Sequence, residues 1–194
     1  IMSTIFFNAY RFKQMIVDFF ANRKSLTIST NQYMEVADNS SLNFGNGTTD
    51  VPFSISMWVK RDVSTATIKE VLSKRNEYYI SISSTLVYFA LLDDNINVYI
   101  RKTITIPSDL SYHHLVCTYD GSRSANGINI YFDGSKRVAT NQTLGTYVSM
   151  NDNNFPLIVG WLGSGATYFD GKVDQLMIWD KELSVSEVRE LLLM

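Results

Sequence analysis

Between Ser25 and about Asp180 the chain alternates apolar and polar residues in short runs, most of them closed by Asn, Asp, Gly or Ser. In FSISMWVK, Phe53, Ile55, Met57 and Val59 share one side, while Ser54, Ser56, Trp58 and Lys60 share the other. YYISIS divides Tyr78, Ile80 and Ile82 from Tyr79, Ser81 and Ser83. INVYIR divides Ile96, Val98 and Ile100 from Asn97, Tyr99 and Arg101. INIYF separates Ile128, Ile130 and Phe132 from Asn129 and Tyr131, then reaches Asp133-Gly134, a strong hairpin signal. A period of two belongs to half-buried strands, whose successive side chains point to opposite faces. Short strands with frequent turn signals predict an all-β fold: a two-sheet antiparallel jelly-roll sandwich whose aliphatic sides meet in one core. The opposite sides carry rings, namely Trp58, Tyr79, Tyr99 and Tyr131.

Both ends break this texture. Near the C-terminus Ser184 is followed three residues later by Glu187, a capping box, with Leu183 and Val188 spaced as a hydrophobic staple. A short helix over about 185–192 is predicted, packed on the sandwich through Val188, Leu191 and Leu192. Residues 1–24 form an apolar arm instead. Phe6, Phe7, Tyr10, Phe12, Phe19 and Phe20 crowd there among few polar residues, and such a surface in water invites association. The expected division is an interaction or assembly arm over 1–24 and a sandwich over 25–194.

Composition narrows the function classes. A net charge of −2 gives no attraction to nucleic acid or an anionic membrane surface. No apolar run is long enough to span a bilayer. Arg11, Lys13 and Asp18 interrupt the first residues where a secretion signal would be continuously apolar. Cys117 is the single cysteine, so no internal disulfide forms, and its phase with Leu115 and Tyr119 makes it a buried hydrophobe. The two histidines, His113 and His114, are adjacent; on a strand they face opposite ways and serve structure. No outward pair of acids with glycosidase spacing, no Ser-His-Asp grouping and no phosphate-cradling glycine loop is present, so an enzyme is not expected.

A family likeness rests on several pieces in order: NQYMEVADNSSLNFG, FSISMWVKR, VLSKRNEYYISI, YHHLVCTYDG, INIYFDGSKRVA, PLIVGWLGSG and YFDGKVDQLMIWDKELSVSEVRELL. Over about residues 25–192 the chain resembles laminin-G-like, concanavalin-A-like lectin/glucanase domains of the pentraxin-related branch. The resemblance implies a jelly roll that binds glycans or protein partners, often with one structural Ca²⁺. The paired histidines follow Tyr112 here, where such domains often have Trp.

Asp174 is the acid that stands out, because it counts in phase with Leu176 and Ile178 on the core-facing side of the last strand. A buried carboxylate must be paired, hydrogen-bonded or metal-bound. Backbone N–H groups are one solution and Ca²⁺ is the other; by the resemblance, the calcium partner would come from the loop around Asn31. For ligand binding the candidates are Trp58, Tyr79, Tyr99, Arg101, Tyr131 and Trp161, on the outer faces and in rim loops such as NDNNFP and WLGSGATY. Two function classes follow. One is a non-catalytic recognition module for glycan or protein. The other is a structural subunit of a larger assembly, such as a virion capsid or decoration protein, joined through the arm. The expected setting is extracellular or a virion surface.

Overall fold

The structure is a computed structural model that describes residues 25–29, 31–94, 97–163, 165 and 167–194. The arm residues Phe6, Phe7, Tyr10, Phe12, Phe19 and Phe20, and Ile96 of the INVYIR run, lie outside the described residues. In chain order the strands begin with β1 (Leu26–Ile28), β2 (Met34–Val36), β3 (Phe53–Arg61), β4 (Lys69–Lys74), β5 (Tyr78–Ile82) and β6 (Leu86–Leu92). They continue with β7 (Tyr99–Thr105), β8 (Tyr112–Tyr119), β9 (Ile128–Phe132), β10 (Ser135–Lys136), β11 (Ala139–Leu144), β12 (Leu157–Val159) and β13 (Gly171–Trp179), before helix α1 (Val185–Leu191). One sheet has six strands in the order β1-β13-β3-β8-β9-β10, and the other seven in the order β11-β7-β6-β5-β4-β12-β2. All pairings within them are antiparallel.

The predicted alternation sets the core. Phe53, Ile55, Met57 and Val59 of β3 meet Tyr78, Ile80 and Ile82 of β5 across the sheets, all buried in one cluster with Ile128, Ile130 and Phe132 of β9. Phe53 stacks on Phe44 with centroids 4.2 Å apart and takes Phe89 and Tyr119 edge-on. Cys117 lies inside the same cluster, where burial pushes its thiol pKa up and suppresses the thiolate. The β9–β10 hairpin turns on Asp133 (φ 51°) and Gly134 (φ 70°), the paired left-handed conformations that the Asp-Gly signal requires.

The outer face of the six-stranded sheet is closed by α1. Val188 and Leu191 of the helix, with the preceding Leu183, bury Val116 and Tyr131. Ser54 pins the approach, its hydroxyl donating to the Lys181 carbonyl (2.8 Å) and accepting from the Leu183 N–H (2.9 Å). The capping box forms as the sequence predicts: Ser184 Oγ accepts the Glu187 N–H, and Glu187 Oε2 accepts the Ser184 N–H at 2.9 Å. Ser184→Ala is expected to cost about 1 kcal/mol, read as a lowered urea midpoint with unchanged far-UV circular dichroism.

Two site expectations change here. Tyr131 does not face a ligand; it is sealed under α1. Asp174 does not point into the core either. β13 carries a bulge between Asp174 and Met177, with Gln175 at φ 47°, so the count from Asp174 to Leu176 and Ile178 slips by one residue. Asp174 pairs with Trp58 on the outer side, while Val173 before it enters the core opposite Val59. Leu26 pairs with Val173 and Ile28 with Gly171, so Asp174 lies beyond the start of β1 and Asn31 beyond its other end. The two do not fit one calcium ion as shared ligands. Asn31 instead lines an open hollow of about 440 Å³ with Leu26, Ile28 and Tyr33.

Candidate functional site

The outer face of the seven-stranded sheet is where the remaining candidates gather. Strand registry places one row of side chains across it: Gln142, Arg101, Ala90, Tyr79, Ser73, Ile158 and Glu35, in that order from β11 to β2. The adjacent row runs Thr140, Thr103, Tyr88, Ser81 and Glu70. Most of these residues stand one position out of phase with a core residue, such as Tyr79 between Tyr78 and Ile80, or Tyr88 between Val87 and Phe89. The same alternation that builds the core therefore builds this face.

Arg101 organises one half of it. Its guanidinium lies 4.9 Å from the Tyr88 ring centroid and 5.0 Å from that of Tyr99, within cation–π range. Nη1 donates to the Tyr79 hydroxyl at 3.5 Å and Nη2 to Gln142 Oε1. Burial raises the Tyr79 phenol pKa, and the Arg101 charge opposes that rise without cancelling it.

The β12–β4 side is built by the segment leaving β12. The Trp161 carbonyl accepts the Ser73 hydroxyl at 2.7 Å, and Tyr168 bridges to Glu70 of β4. These anchors present a ring stack: Trp161 and Tyr168 are 5.3 Å apart and nearly parallel at 7°, and Tyr33 leans on Trp161 at 5.0 Å. The indole N–H is taken by the Gly165 carbonyl at 3.0 Å, which fixes the ring plane. Beside the stack, desolvation pushes the Glu70 carboxyl pKa up, opposed by the Thr167 hydroxyl. That carboxyl favours its neutral form more than an exposed glutamate does.

Of the sequence candidates, Tyr79, Tyr99, Arg101 and Trp161 therefore belong to one face. Trp58 does not join them; it sits half-buried on the other sheet, its ring 5.2 Å from that of His114. The histidines turn to opposite sides as expected. His113 bonds Asp133 and Asp109, each at 2.9 Å, and stacks on Phe132. His114 is buried against Ser56 Oγ at 3.0 Å, and burial lowers its pKa to about 4, keeping the ring neutral. The site residues not anticipated from sequence are Tyr88, Gln142, Tyr33 and Glu70, whereas Tyr168 closes the WLGSGATY loop already singled out. Tyr88 lies in LVYFALL, a continuous apolar run in which no phase is legible. Among the described residues, no group of three or more His, Cys, Asp or Glu is placed to hold a metal ion.

Paired antiparallel sheets around an apolar core define a concanavalin-like β-sandwich. The chain belongs to the concanavalin A-like lectin/glucanases superfamily, whose pattern it matches over residues 29–189. It has no match among curated protein sequences. Among solved structures it resembles the binding domain of Paraclostridial Mosquitocidal Protein 1, with a TM-score of 0.65 and 20% identity. That match covers 87% of this chain and 42% of the other, so the chain spans less than half the length of that domain. It also resembles the CBM40 of a Ruminococcus gnavus sialidase, bound to α2,3-sialyllactose, with a TM-score of 0.60 at 14% identity. Coverage there is 87% of this chain and 96% of the CBM40. A heptameric SAP-like pentraxin from Limulus polyphemus matches with a TM-score of 0.55 and 16% identity, covering 87% of this chain and 81% of that one. At these identities the likeness is one of fold.

Proposed function

We propose that the chain is a non-catalytic glycan-binding module that takes its ligand on the outer face of the seven-stranded sheet. The observation that carries this reading is the convergence, on one face, of the Trp161–Tyr168 stack and the Arg101–tyrosine cluster. Flat rings held in fixed planes give sugars a surface for their C–H faces. The Tyr79 hydroxyl and the Gln142 amide beside them supply directional hydrogen bonds. The bound sialyllactose of the CBM40 structure supports the ligand class. A non-catalytic role is supported by the acids on this face. Glu70 is buried, while Glu35 is exposed across the sheet on β2, so they do not form the pair of accessible carboxylates that hydrolysis uses.

Trp161→Ala is the direct test, because it removes the stacking surface while the Ser73 bond to the residue 161 carbonyl survives. Glycan-array signal is expected to fall roughly five- to thirtyfold, with the chain still folded by far-UV circular dichroism. A stack worth about 1–2 kcal/mol gives a loss of that order. An array with no signal from the parent chain, or signal indifferent to the substitution, removes the reading.

A further inference from the structure

Arg61, Arg75 and Arg123 are used by structure. Arg61 is buried and donates to the carbonyls of Ser83, Pro107 and Asp109 at 2.5, 2.8 and 2.7 Å. Arg123 donates to the Thr48 carbonyl, and Arg75 lies over Phe155. Arg101 differs. It stands on the face just described, and its hydrogen-bond partners are side-chain groups, a phenol and an amide, in place of the backbone carbonyls that hold Arg61 and Arg123. None of the ion pairs among the described residues includes it or any other arginine. Two tyrosine rings partly shield it from water, which deepens the need for an anion. The carboxyl in the neighbouring row, Glu70, is separated from it by β5 and β6 and is itself disfavoured as an anion by burial.

Resting on the glycan-binding reading, we infer that this face selects glycans bearing a carboxylate, a sialic or uronic acid, and that Arg101 is the residue that reads the charge. A guanidinium is a planar fork that matches the two oxygens of a carboxylate. Arg101 commits one N–H from each terminal nitrogen to Tyr79 and Gln142, which holds the plane and leaves the second N–H on each available. The tyrosines that flank the charge serve a second purpose. Their rings receive the sugar body while the fork receives its acid, so a neutral sugar satisfies half of the site and an acidic one satisfies both.

The test is calorimetric titration of the full chain with α2,3-sialyllactose, methyl β-glucuronide and lactose. The parent chain is expected to bind at least one acidic probe roughly ten- to a hundredfold more tightly than lactose, the range of a charge-assisted hydrogen bond. Added sodium chloride is expected to narrow that gap. Arg101→Gln is expected to abolish the preference for acid while weak lactose binding persists. Arg101→Lys keeps the charge without the fork and is expected to lose most of the preference, so a folding defect in either variant leaves the other to decide. Equal binding of lactose and both acids, or an acid preference that survives both substitutions, overturns the role of Arg101 and leaves glycan binding standing. Absence of binding to any glycan removes both.

Discussion

Replacing Lys74 by alanine is expected to destabilise the domain by about 3–5 kcal/mol, the range for breaking a buried ion pair on one side. Lys74 is completely buried, an uncommon fate for this side chain. Its Nζ lies 2.6 Å from Glu77 Oε1 and 2.8 Å from Asp38 Oδ1. Glu77 is also inside and accepts the Asn153 N–H at 3.2 Å. One ammonium thus ties the segment after β2, the β4–β5 turn and the loop before β12 at one end of the sandwich. Alanine leaves two carboxylates facing a void. The urea midpoint should fall sharply for Lys74→Ala and much less for Glu77→Gln, which preserves a hydrogen-bonding group without its charge.

The same cluster gives stability a pH dependence. Burial raises the Glu77 carboxyl to about 7, above its ordinary 4.5, with Lys74 opposing the rise. Between those values the folded chain holds a proton that the unfolded chain has released. The contribution of this group is therefore full below about 4.5 and is lost as pH climbs through about 7. Urea midpoints between pH 5 and pH 8 should decline in the parent chain, and the decline should flatten in Glu77→Gln. An equal decline in the variant would assign it to another group.

Asp50→Ala is the second large effect, expected at about 3–5 kcal/mol because several partners lose one acceptor together. Asp50 Oδ2 accepts the hydroxyls of Tyr119 (2.8 Å) and Tyr147 (2.7 Å), and Oδ1 accepts the Ser149 hydroxyl (2.8 Å) and the Met150 N–H (2.9 Å). This node fastens the approach to β3 to the end of β8 and to the segment after β11. Asp50→Asn keeps the Oδ1 contacts and turns an amide toward the tyrosines, whose hydroxyls also accept, so about half the loss is expected. Thermal unfolding separates the two variants; equal midpoints would mean that the node is not carried by the carboxylate.

Much of the fold was legible because it depends on local repetition. Phe53 to Val59 alternate cleanly, so the core face of β3 follows from counting, as does the place of Cys117. Asp133-Gly134 and Ser184–Glu187 are signals whose chemistry acts within a few residues, and both form as expected. What escaped depends on distance or irregularity. Counting by twos presumes an unbroken strand, and the bulge at Gln175 turned Asp174 outward. Outward rings were identifiable, but not the sheet they belong to: Tyr79 and Tyr99 share a face, Trp58 lies on the other sheet, and Tyr131 is under α1. The nodes at Asp50 and Lys74 join residues far apart in sequence and carry no local signature.

Chemical-shift mapping of the isotopically labelled chain during titration with α2,3-sialyllactose tests the location of binding most directly. Shifts are expected at Tyr79, Tyr88, Tyr99, Arg101 and Trp161, with Trp58, Tyr131 and α1 unmoved. Shifts confined to the six-stranded sheet or to residues 151–156, with the Arg101 and Trp161 side-chain signals unchanged, would contradict it.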